Sequence, residues 1–244
     1  MIIYWSKYIN DIASVSKGLK EAPLRGLDLL VTPPQSLYSY LINNNELKEK
    51  FGSYSRCTSA LNELKKTYFI NPDFNYDFYF DENNNLRSDM YDQNMFDNVI
   101  QRDAKNLFFI NSYFIMFAEK PCTVTQIAPY LHKTSFSRGN CLSVTASLDI
   151  SKWFRPTHAV YMNDEYTPMQ LRTDEPLYYL KFDTDEKIEF KEFTMNDKLL
   201  DYALNCTLFK KYSPRKSLNK LYGVFVNRNY HKKVLKEIKQ NIVE

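Results

Sequence analysis

Four side chains between residues 138 and 155 have the types that chemistry on a phosphorylated molecule needs. Asp149 is a carboxylate that could act as a general base, given a matched pKa and a water within reach. As a turn residue it would instead cap the backbone of Ser151 to Trp153. Arg138 and Arg155 carry planar, bidentate donors that suit a phosphate. The same forks would pair equally well with Asp149, Asp164 or Glu165. Trp153 offers a face on which a base can stack, worth roughly 1–3 kcal/mol per base. Flanked by Phe154 and Pro156, it would also serve as a plug in the core.

Other chemistries find no support. With five glycines in the chain, neither a dinucleotide-binding G-x-G-x-x-G nor a Walker A loop can be written, and there is no nucleophile elbow. Cys57, Cys122, Cys141 and Cys206 form no C-x-x-C pair, so they are expected to be free thiols, mostly buried. His132, His158 and His231 make no H-x-H or H-x-D pair. A metal site built from His132, His158, Asp149 and Cys141 is therefore not expected, and neither is a Cys–His nucleophile. No cofactor is expected, and Mg2+ would enter only if the protein hydrolysed a nucleotide.

The elements that must position these residues are mostly strands. Phe74, Tyr76, Phe78 and Phe80 alternate with Asn75, Asp77 and Tyr79, the period of a half-buried strand. Further extended runs are expected at Leu107–Phe117, Thr123–Ile127, Cys141–Leu148, His158–Met162, Met169–Arg172, Leu177–Phe182 and Ile188–Phe193. Prolines 121, 129, 156, 168 and 176 fall between these runs, where turns belong. Such spacing favours an antiparallel sandwich or barrel over βαβ units. Ahead of the strands, Tyr4-Trp5 opens a short extended segment. Pro33-Pro34 blocks a helix, Ser36 can cap one that runs to the Asn43-Asn44-Asn45 break, and Glu46–Lys50 adds a turn or two ending at Gly52. After the strands, Asn196-Asp197 can cap a helix, and a last helix over residues 229–243 aligns Val234, Leu235, Ile238 and Ile242 on one face.

Charge is nearly balanced, with 32 Lys and Arg against 29 Asp and Glu, so nucleic acid is not an expected partner. The C-terminal stretch 210–244 is basic and the stretch 73–103 acidic. The basic helix reads as a solvated face that could dock on acidic residues of its own or a neighbouring chain. No apolar run reaches the roughly 18–20 residues that span a bilayer; Leu107–Phe117 is interrupted by Asn111 and Ser112. The N-terminus lacks the zones of a signal peptide, which places the protein in the cytosol.

The stretch His132–Phe182 resembles the middle of the dUTPase and dCTP-deaminase family of trimeric nucleotide enzymes. Ser135, Ser137, Arg138 and Gly139, with Lys133 ahead of them, stand where that family has its phosphate loop. Asp149 matches its water-activating hairpin carboxylate, Trp153 its sugar-packing aromatic, and Asn163 its strand-ending Asn. The resemblance implies a β-clip core and a ligand set of Lys133, Ser135, Ser137, Arg138, Asp149, Trp153 and Arg155. The sequence departs from that pattern in three ways. The Arg-Ser-Ser order is absent, no Gly precedes Leu148-Asp149, and the chain ends in a Lys-rich helix where the family has a Gly-rich arm.

Glu21-Ala22-Pro23, Ser36-Leu37-Tyr38, Arg56-Cys57, Trp153-Phe154-Arg155-Pro156 and Glu175-Pro176-Leu177-Tyr178-Tyr179 together resemble an uncharacterised family of large tailed phages. That implies a phage product in the host cytosol or the virion. The combined expectation is one mainly β, α+β domain. It has an antiparallel β-sandwich or β-clip-like core at residues 65–193, a helical and irregular lead-in at 1–64, and helices at 194–244. The expected function is binding of a phosphorylated, nucleotide-like ligand without turnover, sequestering a host defence signal, in a homo-oligomer. The alternatives are a structural, virion or protein-interaction component, and a nucleotide pyrophosphatase with Asp149 as its base.

Overall fold

The structure, a computed structural model, describes residues 1–8, 32–89, 93–104, 106–163, 167–213 and 215–243. Asp164 and Glu165, offered above as partners for Arg138 and Arg155, lie outside these residues, as does Glu21-Ala22-Pro23. The fold is α+β and mainly sheet, in a sandwich-like arrangement. The fourteen strands of the described residues are β1 (Ile2–Lys7), β2 (Gln35–Ser36), β3 (Thr67–Ile70), β4 (Tyr76–Phe80), β5 (Leu86–Arg87), β6 (Ile100–Ala104), β7 (Leu107–Ala118), β8 (Thr123–Ile127), β9 (Leu142–Ser143), β10 (Ala146–Asp149), β11 (Pro156–Met162), β12 (Met169–Leu171), β13 (Tyr178–Phe182) and β14 (Glu189–Glu192). A six-stranded sheet runs β14-β1-β7-β11-β9, with β6 also on β7; a five-stranded sheet runs β10-β8-β13-β3-β2; a small third sheet is β12-β4-β5. Pairing is antiparallel except between β1 and β14.

Four layers result. Trp5, Phe114 and Tyr161 of the six-stranded sheet meet Val124, Tyr178 and Phe182 of the five-stranded sheet in the central core. Helices cover both outer faces. On the five-stranded side, α1 (Leu37–Asn43), α2 (Asn45–Phe51) and α3 (Thr58–Lys65) bring Leu37, Leu41 and Leu64 against Phe69 and Tyr179. On the six-stranded side, α6 (Asp197–Tyr212), α7 (Leu218–Asn227) and α8 (Tyr230–Gln240) lay Leu199, Leu221, Phe225, Val234 and Ile238 on Tyr4, Ile115 and Phe117. Two shorter helices, α4 (Gln93–Val99) and α5 (Ser135–Arg138), sit between strands. The C-terminal half of β7 is buried on both faces, which is why its sequence is continuously apolar instead of alternating. The basic helix α8 is docked: Val234 and Ile238 are fully buried, and Lys239 pairs with Glu119, outside the acidic stretch 73–103.

Several local signals mark real boundaries. Ser36 caps α1 by accepting the Ser39 N–H at 3.2 Å, and Asn196 caps α6 by accepting that of Leu199 at 3.0 Å. Gly52 ends α2 at φ 49°, a left-handed conformation that glycine adopts without a Cβ clash. The expected single strand Cys141–Leu148 is instead two. β9 joins β11 in the six-stranded sheet, and β10 joins β8 in the other, so the chain crosses the sandwich at Val144-Thr145. Helices α3 and α7 fall within the helical stretches expected at 1–64 and 194–244, although the residues that precede them, Cys57 and Ser217, make no side-chain cap.

Candidate functional site

The residues chosen from the sequence fall into two groups. The first is the short helix α5. Thr134 caps it, accepting the Ser137 N–H at 3.0 Å, while Ser137 Oγ donates to the Thr134 carbonyl at 2.8 Å. Its N-terminus already holds an anion, the Glu175 carboxylate. That carboxylate accepts the Ser135 N–H, the Ser135 hydroxyl at 3.0 Å and Arg138 Nη2 at 3.1 Å. Arg138 Nη2 also donates to Ser135 Oγ at 2.6 Å, and Nη1 to the Lys133 carbonyl at 2.7 Å. Of the donors expected to cradle a phosphate, those of Ser135, Ser137 and Arg138 are thus spent within the chain itself.

The second group lies at the other end of β7. Phe136 of α5 packs on Phe108, at the start of β7, whereas the Ile150 carbonyl accepts the N–H of Ala118 at its end. Ten strand residues separate these points, on the order of 30 Å at the rise of an extended chain. The fold therefore does not bring Lys133, Ser135, Ser137 and Arg138 together with Asp149, Trp153 and Arg155.

Within the second group Asp149 is a turn cap. Its Oδ1 accepts the Ser151 N–H at 3.1 Å and the Ser151 hydroxyl at 2.6 Å, and its Oδ2 pairs with Lys152 Nζ at 2.6 Å. Its own N–H donates to the Tyr222 hydroxyl at 3.1 Å. Trp153 is 5 % exposed and packs edge-on against Tyr222 and tilted against Phe225, with centroids 5.9 Å away in each case. Its indole N–H is buried with no acceptor among the described residues.

Arg155 differs from every other residue in the set. It is partly exposed, yet burial pulls its guanidinium below the usual arginine range. No described residue gives it a hydrogen bond or an ion pair. The groups close enough to influence it electrostatically are Cys206, Tyr8 and Tyr222. Burial pushes the Cys206 thiol up to about 12 and the Tyr222 phenol above its ordinary value, so both are neutral at pH 7 and neither balances the cation. His158 also feels the Arg155 charge, and its Nδ1 is buried without a partner among the described residues. Burial and the Arg155 charge lower this imidazole to about 3. A desolvated cation without a counter-charge is costly unless an anion joins it.

A further polar site went unread in the sequence. Between Ile115 and Asn111 β7 carries three residues, Ser112, Tyr113 and Phe114, opposite the single residue Thr157 of β11, and Tyr113 has φ 44°. At this bulge Ser112 Oγ donates to the Thr157 carbonyl at 2.8 Å, and the Tyr178 hydroxyl lies 2.9 Å from Thr157 Oγ1 and 3.1 Å from Ser112 Oγ. Asp73 lies near Tyr178, 7 % exposed, with Oδ2 unpaired; burial raises its carboxyl to about 8, opposed by Lys7. The available signal was Ser112 itself, a hydroxyl inside an apolar run.

His132 is likewise engaged: its Nδ1 meets the Tyr179 hydroxyl, which accepts the Leu131 N–H at 3.2 Å, and its ring stacks on Tyr40 at 4.4 Å. Among the described residues no three or more His, Cys, Asp or Glu side chains converge as a metal site would require, and no helix is long and apolar enough to cross a membrane. No family model, no curated protein and no solved structure matches the chain, so its functional reading rests on the residues around Arg155.

Proposed function

We propose that this protein binds a small phosphorylated, nucleotide-like ligand at Arg155 and does not turn it over. The observation that carries the reading is the partly exposed, desolvated guanidinium that no described residue neutralises. A phosphate would supply the missing charge and accept the guanidinium's forked donors. The Tyr222 hydroxyl, which accepts from Asp149 and keeps its own proton, is a second donor on that side. Binding without turnover is supported by Asp149, whose carboxylate is committed to Ser151 and Lys152. In a phage-infected bacterium, such a protein would sequester a signalling nucleotide of the host.

Thermal unfolding against mono-, di- and cyclic nucleotides tests this. A ligand at a hundred times its Kd adds about 2.7 kcal/mol, a rise in Tm of roughly 5–11 °C for a chain of this size. The shift should vanish in Arg155→Met, and mass spectrometry should recover the ligand intact. Released pyrophosphate would point instead to a hydrolase, and a shift that survives in the variant would remove Arg155 from the site.

A second reading, as a protein-interaction component, is favoured by one observation. Leu142 and Met162 face each other across β9 and β11 at the edge of the six-stranded sheet and are 60 % and 37 % exposed. A sedimentation profile of wild type and Leu142→Lys that shows the same monomer would dismiss self-association through that edge.

A further inference from the structure

The last three helices sort their charges by position. Between Asp201 and Glu237 the chain has nine Lys and Arg and no Asp or Glu. Arg215, Lys216, Lys220, Arg228, Lys232 and Lys233 are all exposed, and none forms an ion pair with a described residue. The acids of this layer lie at its opposite end, where the start of α6 meets the end of α8. There Asn196 donates to Glu237 at 2.8 Å, and Lys198 and Lys239 pair with Glu237 and Glu119. The basic end is held together by its own contacts. Lys210 Nζ donates to the Lys216 carbonyl at 3.4 Å, the Arg228 guanidinium lies 5.7 Å from the centre of the Phe209 ring, and Lys233 Nζ lies 5.4 Å from that of Tyr230.

Helix stability does not account for these cations. Lys220 and Lys232 each stand third in their helix, in first turns that hold no acidic residue, where a positive charge opposes the helix dipole. Packing does not account for them either, because Leu221, Phe225, Val234 and Ile238 fill the core side of α7 and α8. Tyr212, at the same end, is 77 % exposed.

We infer that this basic end of the helical layer binds single-stranded nucleic acid through its phosphates. The balanced total charge conceals the segregation that makes such a surface. A row of phosphates is the anion that many exposed, unpaired Lys and Arg fit, because each contact releases a counterion and affinity grows with their number. An exposed ring among cations is the combination that single strands use, since a base stacks on it whatever its identity. A membrane surface would need an apolar face beside the cations, and here the apolar face of each helix is turned to the core.

Fluorescence anisotropy of labelled oligo-dT and oligo-U of about 12 nucleotides, titrated at several salt concentrations, tests this. Both should bind, with log K falling against log salt at a slope of about −0.7 for each phosphate neutralised. Lys216→Gln with Lys220→Gln, and Arg228→Gln with Lys232→Gln, should each make the slope shallower by up to about 1.4. Lys50→Gln with Arg56→Gln removes the same charge from exposed or partly exposed positions on the opposite outer face and should leave the slope unchanged. Tyr212→Ala should weaken binding at least about fivefold without moving the slope, the lower end of what one stacked base supplies.

No binding at about 50 mM salt, or a slope that the two basic-end variants leave unmoved, overturns the inference. Equal binding of polyglutamate or of phosphatidylserine vesicles overturns it in favour of an acidic protein or a membrane. A duplex of the same length that binds as tightly as the single strand overturns the assignment to single strands.

Discussion

Arg138 and Arg155 are the same residue type in the same stretch of chain, and the fold treats them in opposite ways. Arg138 is 59 % exposed in its side chain and still has an anion, Glu175, which also takes the two Ser135 donors. Arg155 is more desolvated and has no anion among the described residues. The exposed cation needs its partner least, since water screens it and such a pair is worth little. The desolvated cation needs one most. A cation site is therefore recognised by the balance between desolvation and available counter-charge, not by residue type. By that measure the serine-rich loop is closed and the Trp153–Arg155 turn is open.

A buried acid offers the largest test of this balance. Asp73 is nearly as isolated as Arg155 but is an acid, so it escapes the cost by holding its proton, with its carboxyl raised to about 8. Below about pH 4 the folded and unfolded states are both protonated and the site costs nothing. Between about pH 4 and 8 only the unfolded chain releases the proton, so stability falls as pH rises, and above 8 the loss is complete. Asp73→Asn should therefore match the wild type near pH 4 and exceed it by a few kcal/mol near pH 9 in denaturant unfolding. The difference between the two proteins isolates the effect. His132 and His158, lowered to about 4 and about 3, act with the opposite sign between those values and 6.5 in both. Equal pH profiles would mean that Asp73 is already ionised and solvated.

The paired arginine comes next. Glu175→Gln removes the charge that holds the α5 N-terminus and should cost about 1.5–3 kcal/mol, the range for hydrogen bonds to a charged group. Most of that loss would come from the Ser135 donors, because Arg138 is well exposed. A neutral outcome would show that water replaces Glu175 without penalty.

The smallest effect has the most informative sign. Arg155→Met should stabilise the ligand-free protein by about 1 kcal/mol, because it exchanges an unpaired desolvated cation for an apolar group of similar volume. The same change at Arg138 should be destabilising or neutral. If Arg155→Met destabilises, the arginine has a partner in the folded state and the contrast with Arg138 collapses.

Much of the local structure was open to reading because it depends on neighbours in the chain. The alternation at Phe74–Phe80 marks β4, Thr123–Ile127 is β8 without change, and the caps at Ser36 and Asn196 start α1 and α6. The turn cap at Asp149 and the core plug at Trp153 are likewise written in nearby residues: Ser151 and Lys152 for one, Phe154 and Pro156 for the other.

What the tertiary structure alone decided concerns partners far apart in sequence. Helices on both outer faces, β1 inserted between β7 and β14, and the crossing between sheets at residues 144–145 all depend on which face meets which. Periodicity reveals that a face is apolar but not what covers it. Arg138 finds Glu175 across 37 residues, and Arg155 lies beside Tyr222 and Cys206 of helices that begin more than forty residues later. The sequence by itself determined where several strands run, β4 and β8 among them, and which side chains could meet a phosphate. Only the packing of the four layers determined which of those side chains was left without an anion, because desolvation and counter-charge are both set by residues brought in from a distance.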